Sequence, residues 1–207
     1  MKENEFLSKL KYAVERAAKK QIEINRNDED KLRKSRASEA NFKALLYHEL
    51  ITEGGLYFGD IKVESPLHDN ESNHGNSRFD FAIKNSEERR RYVIEVKMVN
   101  QSGSLSAWIS NDDEKRDDTV YYDLNKLKKA ISEDGTESCT TQGMMVIAYH
   151  GTANTESDEL AKVEKGLISG LAALSSRFNE NGILVIYYDG RSCTIRKLEE
   201  FDEREAS

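Results

Sequence analysis

The chain has 207 residues, of which 33% are charged and 37% hydrophobic, and its formal net charge is -7. This length suits one domain, or one domain with a helical appendage. No apolar run approaches the ~18–20 residues of a membrane-spanning helix, and the opening residues do not resemble a signal peptide. The two cysteines, Cys139 and Cys193, form no CxxC pair. A structural zinc site and a disulfide framework are therefore excluded, and a cytoplasmic location is expected.

Charge is spread unevenly along the sequence. Residues 1–43 carry 12 Lys and Arg against 8 Asp and Glu, whereas the rest of the chain is strongly acidic. An acidic protein does not attract nucleic acid over its whole surface, so a polyanion would need a local basic patch. The candidate patch lies on the first predicted helix, and an ordinary solvated helix face is the alternative. Its basic residues are Lys9, Lys11, Arg16, Lys19 and Lys20.

Hydrophobic periodicity predicts a mixed α/β chain. Apolar residues at helical spacing predict helices over residues 3–24 and 35–53. Alternating residues then predict strands over 61–65, 78–83 and 92–99, followed by a polar, irregular stretch around Trp108. The last predicted elements are a helix over 120–131, a buried strand over 143–149, a helix over 160–174, and a hairpin of strands 183–188 and 193–198. This order predicts one sheet with helices on its faces.

The strongest predicted strand, residues 92–99, carries two charged side chains on one face. Because side chains alternate along a strand, Glu95 and Lys97 point the same way. On the preceding strand, Phe79, Phe81 and Ile83 are expected to face one way, and Asp80 the other. If these strands form a hairpin in which Ile83 opposes Tyr92, Asp80 lies opposite Glu95. Two carboxylates this close repel each other, and a divalent cation between them would relieve the repulsion.

The interval between Asp80 and the triplet Glu95-Val96-Lys97 resembles the PD-(D/E)XK, or restriction-endonuclease-like, nuclease superfamily. Four acid-x-Lys triplets occur in the sequence, about as many as chance gives, and strand context singles out this one. Phe79 replaces the proline of the family name. The resemblance implies an α/β fold with an αβββαβ core and a mixed central sheet flanked by helices. With this core we expect an N-terminal helical extension over residues 1–30, a nuclease domain over 31–200 that ends in a helix and a β-hairpin, and an acidic tail over 201–207.

The same resemblance implies a metal site. The carboxylates of Asp80 and Glu95 and the carbonyl of Val96 would bind Mg²⁺, with Mn²⁺ able to substitute. Lys97 would orient or deprotonate the attacking water and offset negative charge. A catalytic glutamate from the first core helix is also expected, and Glu39 is favoured over Glu49. For either glutamate, a purely structural role is the alternative.

The function implied is a Mg²⁺-dependent deoxyribonuclease, expected to be an endonuclease, that hydrolyses phosphodiester bonds in DNA. It is compatible with a homodimer or with a partner protein in a defence or repair system, and no membrane partner is expected. Two alternatives remain: a non-catalytic nucleic-acid-binding or assembly subunit with the same fold, and a protein whose three charges form only a structural ion pair. Weaker candidates for contact with nucleic acid are Trp108, the loop holding His68 and His74, and Lys126, Lys128 and Lys129.

Overall fold

The computed structural model describes residues 2–26, 35–52, 60–66, 78–99, 105–111, 119–132, 140–149, 157–178 and 182–202. The predicted loop with His68 and His74 lies outside these residues. The helices are α1 (Glu3–Arg26), α2 (Ser35–Thr52), α3 (Leu105–Ile109), α4 (Val120–Ser132) and α5 (Ser157–Ser175). The strands are β1 (Ile61–Pro66), β2 (Arg78–Asn85), β3 (Arg90–Val99), β4 (Thr140–Tyr149), β5 (Leu184–Tyr188) and β6 (Cys193–Lys197).

All six strands form one sheet in the order β1-β2-β3-β4-β5-β6. β1, β2 and β3 are antiparallel, β3, β4 and β5 are parallel, and β6 returns antiparallel to β5. The parallel pairs require crossovers, and helices α4 and α5 lie in the two crossover segments. The predicted mixed α/β class and single mixed sheet are therefore confirmed.

Helices cover both faces of the sheet, because alternate residues of the central strands are apolar on both sides. Tyr92, Ile94 and Val96 of β3 pack with the buried residues of α1 and α2. Val93 and Val99 of the same strand pack with α3, α4 and α5. The alternation predicted for β3 is confirmed, and it places Glu95 and Lys97 on the α4 side.

Helix α1 is part of this core. Its residues Phe6, Leu10 and Ala17 are buried in the cluster that contains the α1–α2 face of the sheet. The Phe6 ring stacks on Tyr92 of β3 with 4.0 Å between ring centroids. The prediction of a helical extension over residues 1–30 therefore differs from the structure, in which α1 packs on the sheet as part of the core. The reason is that an amphipathic helix of this length buries its apolar stripe on the nearest open sheet face.

The structure differs from the sequence predictions at two further places. The stretch around Trp108 contains the short helix α3, which packs so closely on α5 that a Cβ added to Gly170 would lie 2.6 Å from Ile109 Cβ. The predicted acidic tail begins with Phe201, which is buried next to Tyr187 at 5.9 Å between ring centroids. Within the described part of the chain, the helices lack the combination of length and apolar character needed to cross a membrane.

Candidate active site

The candidate site lies where β2 and β3 part. Their ladder pairs Ile83 with Tyr92, as predicted, and runs to Phe81 opposite Ile94. One step further, Asp80 Oδ2 accepts a hydrogen bond of 2.8 Å from the backbone N–H of Val96. Because strand N–H groups point sideways within the sheet, this carboxylate occupies the place of a neighbouring strand's carbonyl. The gap lets side chains from both strands and from the adjacent helices converge.

Strand β2 is irregular at Asp80. On its other side, β1 pairs Val63 with Phe81 and Ser65 with Phe79, and Glu64 between them has a left-handed φ of 49°. Phe79 packs with the α4 side of the sheet, whereas Phe81 packs with the α1–α2 side. The prediction that these two rings share a face is therefore wrong, because the pairing of β1 with β2 is interrupted at Glu64 and Asp80 and the alternation of β2 breaks there.

Three carboxylates at this gap are each paired with a lysine. Asp80 Oδ1 lies 2.7 Å from Lys43 Nζ of α2, Glu95 Oε1 lies 2.5 Å from Lys126 Nζ of α4, and Asp123 Oδ2 lies 3.0 Å from Lys97 Nζ of β3. Burial of charge is costly unless the charge is paired, and Glu95, Lys97 and Asp123 are all buried. The pairs join β2, β3, α2 and α4 in one charged cluster.

Of the two helix glutamates considered, the structure brings Glu39 towards this cluster. Its carboxylate lies 2.9 Å from Lys43, the partner of Asp80, and it raises the pKa of Lys97 by coulombic attraction. Glu49 is fully buried between α1 and α2, where it accepts a hydrogen bond of 2.7 Å from Arg16 Nε and one from Lys20 Nζ. Glu49 therefore joins two helices, and its charge is satisfied away from the strands.

Burial and neighbouring charges together set the pKa values in the cluster. Burial, reinforced by repulsion from Asp123 and Asp80, raises the pKa of Glu95 well above its ordinary value. Burial also raises the pKa of Asp123. For Lys97, burial acts to lower the pKa, but attraction to Asp123 and Glu39 outweighs it and the pKa rises. Lys97 is therefore an ammonium at neutral pH, suited to donate hydrogen bonds and offset negative charge.

Sequence reasoning missed Asp123 and Lys43, and it treated Lys126 only as a possible phosphate contact. A signal for Asp123 was present, because it falls within the apolar stripe of α4 between Val120 and Leu127. Thr119 directly precedes this helix, and its hydroxyl accepts a hydrogen bond of 3.1 Å from the N–H of Tyr122, which caps the first turn of the helix. A carboxylate on the buried face of a helix requires a polar partner, and here the partner is Lys97.

Most side chains of the basic patch predicted on α1 are paired with glutamates of the same chain. Lys9 lies 3.0 Å from Glu5, Lys19 lies 2.5 Å from Glu15, and Arg16 and Lys20 both hold Glu49. Pairing with carboxylates in this way reduces the local positive field. On α4, Lys128 and Lys129 are exposed, and Lys128 lies 5.9 Å above the ring of Phe178. Trp108 packs partly buried against the α4–α5 side of the core.

The donor chemistry of the cluster suits a hard cation, since Asp80, Glu95 and Asp123 offer carboxylate oxygens close enough to repel one another. Among the described residues, Glu95 Oε1 and Asp123 Oδ2 are shielded from solvent and receive no hydrogen bond of acceptable angle, although lysine amines lie close. No group of three or more His, Cys, Asp or Glu in those residues is arranged to hold a metal ion as it stands. The amines of Lys43 and Lys126 lie beside the oxygens that would be needed.

Comparison with known proteins gives no further guide to this site. Neither protein-family models, nor curated proteins, nor solved structures give a significant match to the chain.

Proposed function

We propose that this protein is a Mg²⁺-dependent nuclease that hydrolyses phosphodiester bonds in DNA, built on a restriction-endonuclease-like core. The observation that carries the proposal is the convergence of Asp80, Glu95 and Lys97 where β2 and β3 part. The element order supports it: α2, the antiparallel strands β1 to β3, α4, and β4 parallel to β3 follow the expected αβββαβ sequence.

The residues that would hold Mg²⁺ are Asp80 and Glu95 through their carboxylates and Val96 through its carbonyl. When bound, the metal would polarise the phosphodiester and acidify a coordinated water. The electrostatics of the site support a cation there, because burial, reinforced by repulsion from Asp123 and Asp80, raises the pKa of the Glu95 carboxyl. Mn²⁺ has the same preference for oxygen ligands and is expected to substitute.

Lys97 would act as an electrostatic catalyst. Its raised pKa keeps the ammonium charged, so it would orient the attacking water and stabilise negative charge on the phosphate, and it would not accept the proton. Asp123 holds its amine at 3.0 Å, which restricts the lysine to one position on the sheet face. Glu39 borders the same space through Lys43 and would assist in positioning.

A DNA cleavage assay tests the proposal. Plasmid, linear and branched DNA are incubated with the protein and Mg²⁺ or Mn²⁺, with EDTA as the metal-free arm. We expect metal-dependent cleavage that is lost in Asp80→Asn and Glu95→Gln. Asp158→Asn, on the exposed first turn of α5, serves as the matched control and should cleave normally. Metal-independent cleavage, or full activity in both site variants, would refute this function.

One observation favours a second candidate, a non-catalytic nucleic-acid-binding or assembly subunit. Each of the three carboxylates is already paired with a lysine of the same chain, which stabilises the gap without any ligand. The same assay distinguishes the two, because such a subunit would shift DNA in a gel with and without metal and leave it intact.

A further inference from the structure

Lys126 occupies an oxygen-lined position within the cluster. Its Nζ lies 2.5 Å from Glu95 Oε1 and 3.9 Å from Asp123 Oδ1, and it donates a hydrogen bond of 2.8 Å to the backbone carbonyl of Arg78. These oxygens come from β3, α4 and β2 respectively. The side chain is only 14% exposed, and its amine lies 5.4 Å from the centroid of the Phe79 ring. The ammonium is therefore held by three elements rather than projected into solvent.

Two carboxylates and a backbone carbonyl around one positive charge form the environment of a hard cation as much as that of an ammonium. We infer that the Lys126 ammonium is an internal counter-cation, which holds the position beside Glu95 that a divalent cation would take and so competes with that cation. The inference rests on the proposed function only in taking a divalent cation as the ligand of this cluster.

The charge count gives the direction of the effect. The cluster has the carboxylates of Asp80, Glu95, Asp123 and Glu39 opposite the amines of Lys43, Lys97 and Lys126, so four formal negative charges face three positive ones and the charges nearly balance without a ligand. Removing the Lys126 amine leaves Glu95 with an uncompensated charge and relieves the cation of repulsion from an ammonium a few ångströms away. Cation affinity should therefore rise.

Lys97 differs from Lys126 in this respect. Lys97 pairs with Asp123 on the same sheet face, whereas Lys126 directly contacts Glu95, an expected metal ligand. The neighbouring Lys128 provides a matched control, because it lies on the same helix with an exposed side chain near the ring of Phe178.

Calorimetric titration with Ca²⁺ and with Mn²⁺ at fixed ionic strength tests the inference. We expect Lys126→Met and Lys126→Gln to bind both ions about tenfold or more tightly than the wild type, with Lys128→Met unchanged. Tm is recorded for every variant, and saturating Ca²⁺ should raise the Tm of the Lys126 variants further than that of the wild type. Equal or weaker cation binding in folded Lys126 variants would overturn the inference.

A measurement on the wild-type chain does not depend on how the variants fold. Limited acetylation followed by mass spectrometry reports the accessibility of each amine. We expect Lys126 to be acetylated slowly without cation and severalfold faster at saturating Ca²⁺, while Lys128 reacts equally in both. Unchanged or slower acetylation of Lys126 with Ca²⁺ would contradict displacement.

The two proposals can fail separately. If the wild type cleaves DNA with Mg²⁺ while the Lys126 variants bind cations no more tightly, the nuclease function stands and the counter-cation role falls. If the variants gain cation affinity but no condition gives cleavage, the counter-cation role stands and the nuclease function falls.

Discussion

Lys97 Nζ and Asp123 Oδ2 lie 3.0 Å apart across the boundary between strand β3 and helix α4. Both side chains are buried, so neither can be turned into solvent without leaving the other as an unpaired charge. This pair joins helix α4 to the strand that carries the triplet Glu95-Val96-Lys97. The position of the predicted catalytic lysine therefore depends on a helix that follows it by more than twenty residues.

Replacing Lys97 tests whether catalysis can be lost while metal binding is retained. We expect Lys97→Ala to reduce cleavage by about 10²-fold or more, as for the loss of a positioned charge-stabilising group, and to leave Mn²⁺ affinity nearly unchanged. Cleavage kinetics and calorimetric titration check the two effects. Parental activity in the variant would remove Lys97 from the mechanism.

The role of Asp123 is tested by a double-mutant cycle. Asp123→Asn should lower kcat about tenfold or more with little change in KM for DNA, because the carboxylate positions Lys97 and does not contact substrate. The double variant with Lys97→Ala should be no slower than Lys97→Ala alone, since the two residues act as a unit. Asn125→Ala, on the exposed side of the same helix, is the control. Additive losses would show that Asp123 acts independently of the lysine.

Glu49 provides a prediction about stability. Burial acts to raise its pKa, but hydrogen bonds from Lys20 and Arg16 outweigh burial and lower it. Since the pKa is lowered on folding, the stabilisation is complete above the ordinary carboxyl pKa of about 4.3 and is lost as pH falls through the lower folded value.

Glu49→Gln should therefore lower the free energy of unfolding by about 1.5–3 kcal/mol at neutral pH, the usual range for hydrogen bonds to a charged group. The difference from wild type should shrink in strong acid. Urea unfolding at several pH values measures it, with exposed Glu23→Gln as the control. A pH-independent difference would mean that the loss comes from packing and not from charge.

Helix α1 is expected to be indispensable to the fold. Phe6 is 1% exposed and stacked on Tyr92, so Phe6→Ala should cost about 3–5 kcal/mol, whereas Ile24→Ala at a 49% exposed position should cost little. Deleting residues 1–24 should abolish cooperative thermal unfolding. A truncated protein with a sharp, near-parental transition would return α1 to the status of a dispensable extension.

DNA binding should depend on metal and on the exposed lysines of α4. We expect weak binding in chelator, stronger binding with Ca²⁺, and affinity that falls as salt rises. Because Lys9 and Lys19 of α1 are paired with acids, whereas Lys128 of α4 is exposed, Lys128→Gln should weaken binding more than either Lys9→Gln or Lys19→Gln. Anisotropy titrations at two salt concentrations check this. The reverse order would move the DNA surface to α1.

The sequence predicted the parts of the molecule that depend on local pattern. The alternation in β3 predicted which residues face α4, and the register of Ile83 with Tyr92 followed from the short hairpin. The predicted orientation of Phe79 was wrong, because the interrupted strand pairing at Asp80 is not visible as a break in the periodicity of the sequence. Asp123 was missed because a helical wheel shows that a charge lies on the buried side of a helix but does not identify its partner on a distant strand.

The hydrogen bond from the Val96 N–H to Asp80 has a practical consequence for spectroscopy. The N–H of Val96 donates a hydrogen bond to an ionisable side chain that also contacts Lys43. The chemical shift of this amide proton therefore depends on the charge and partners of the Asp80 carboxylate. In a ¹⁵N-labelled sample, one cross-peak would follow events at the gap between β2 and β3. The resonance of a single amide would thereby report on Asp80 without any added probe.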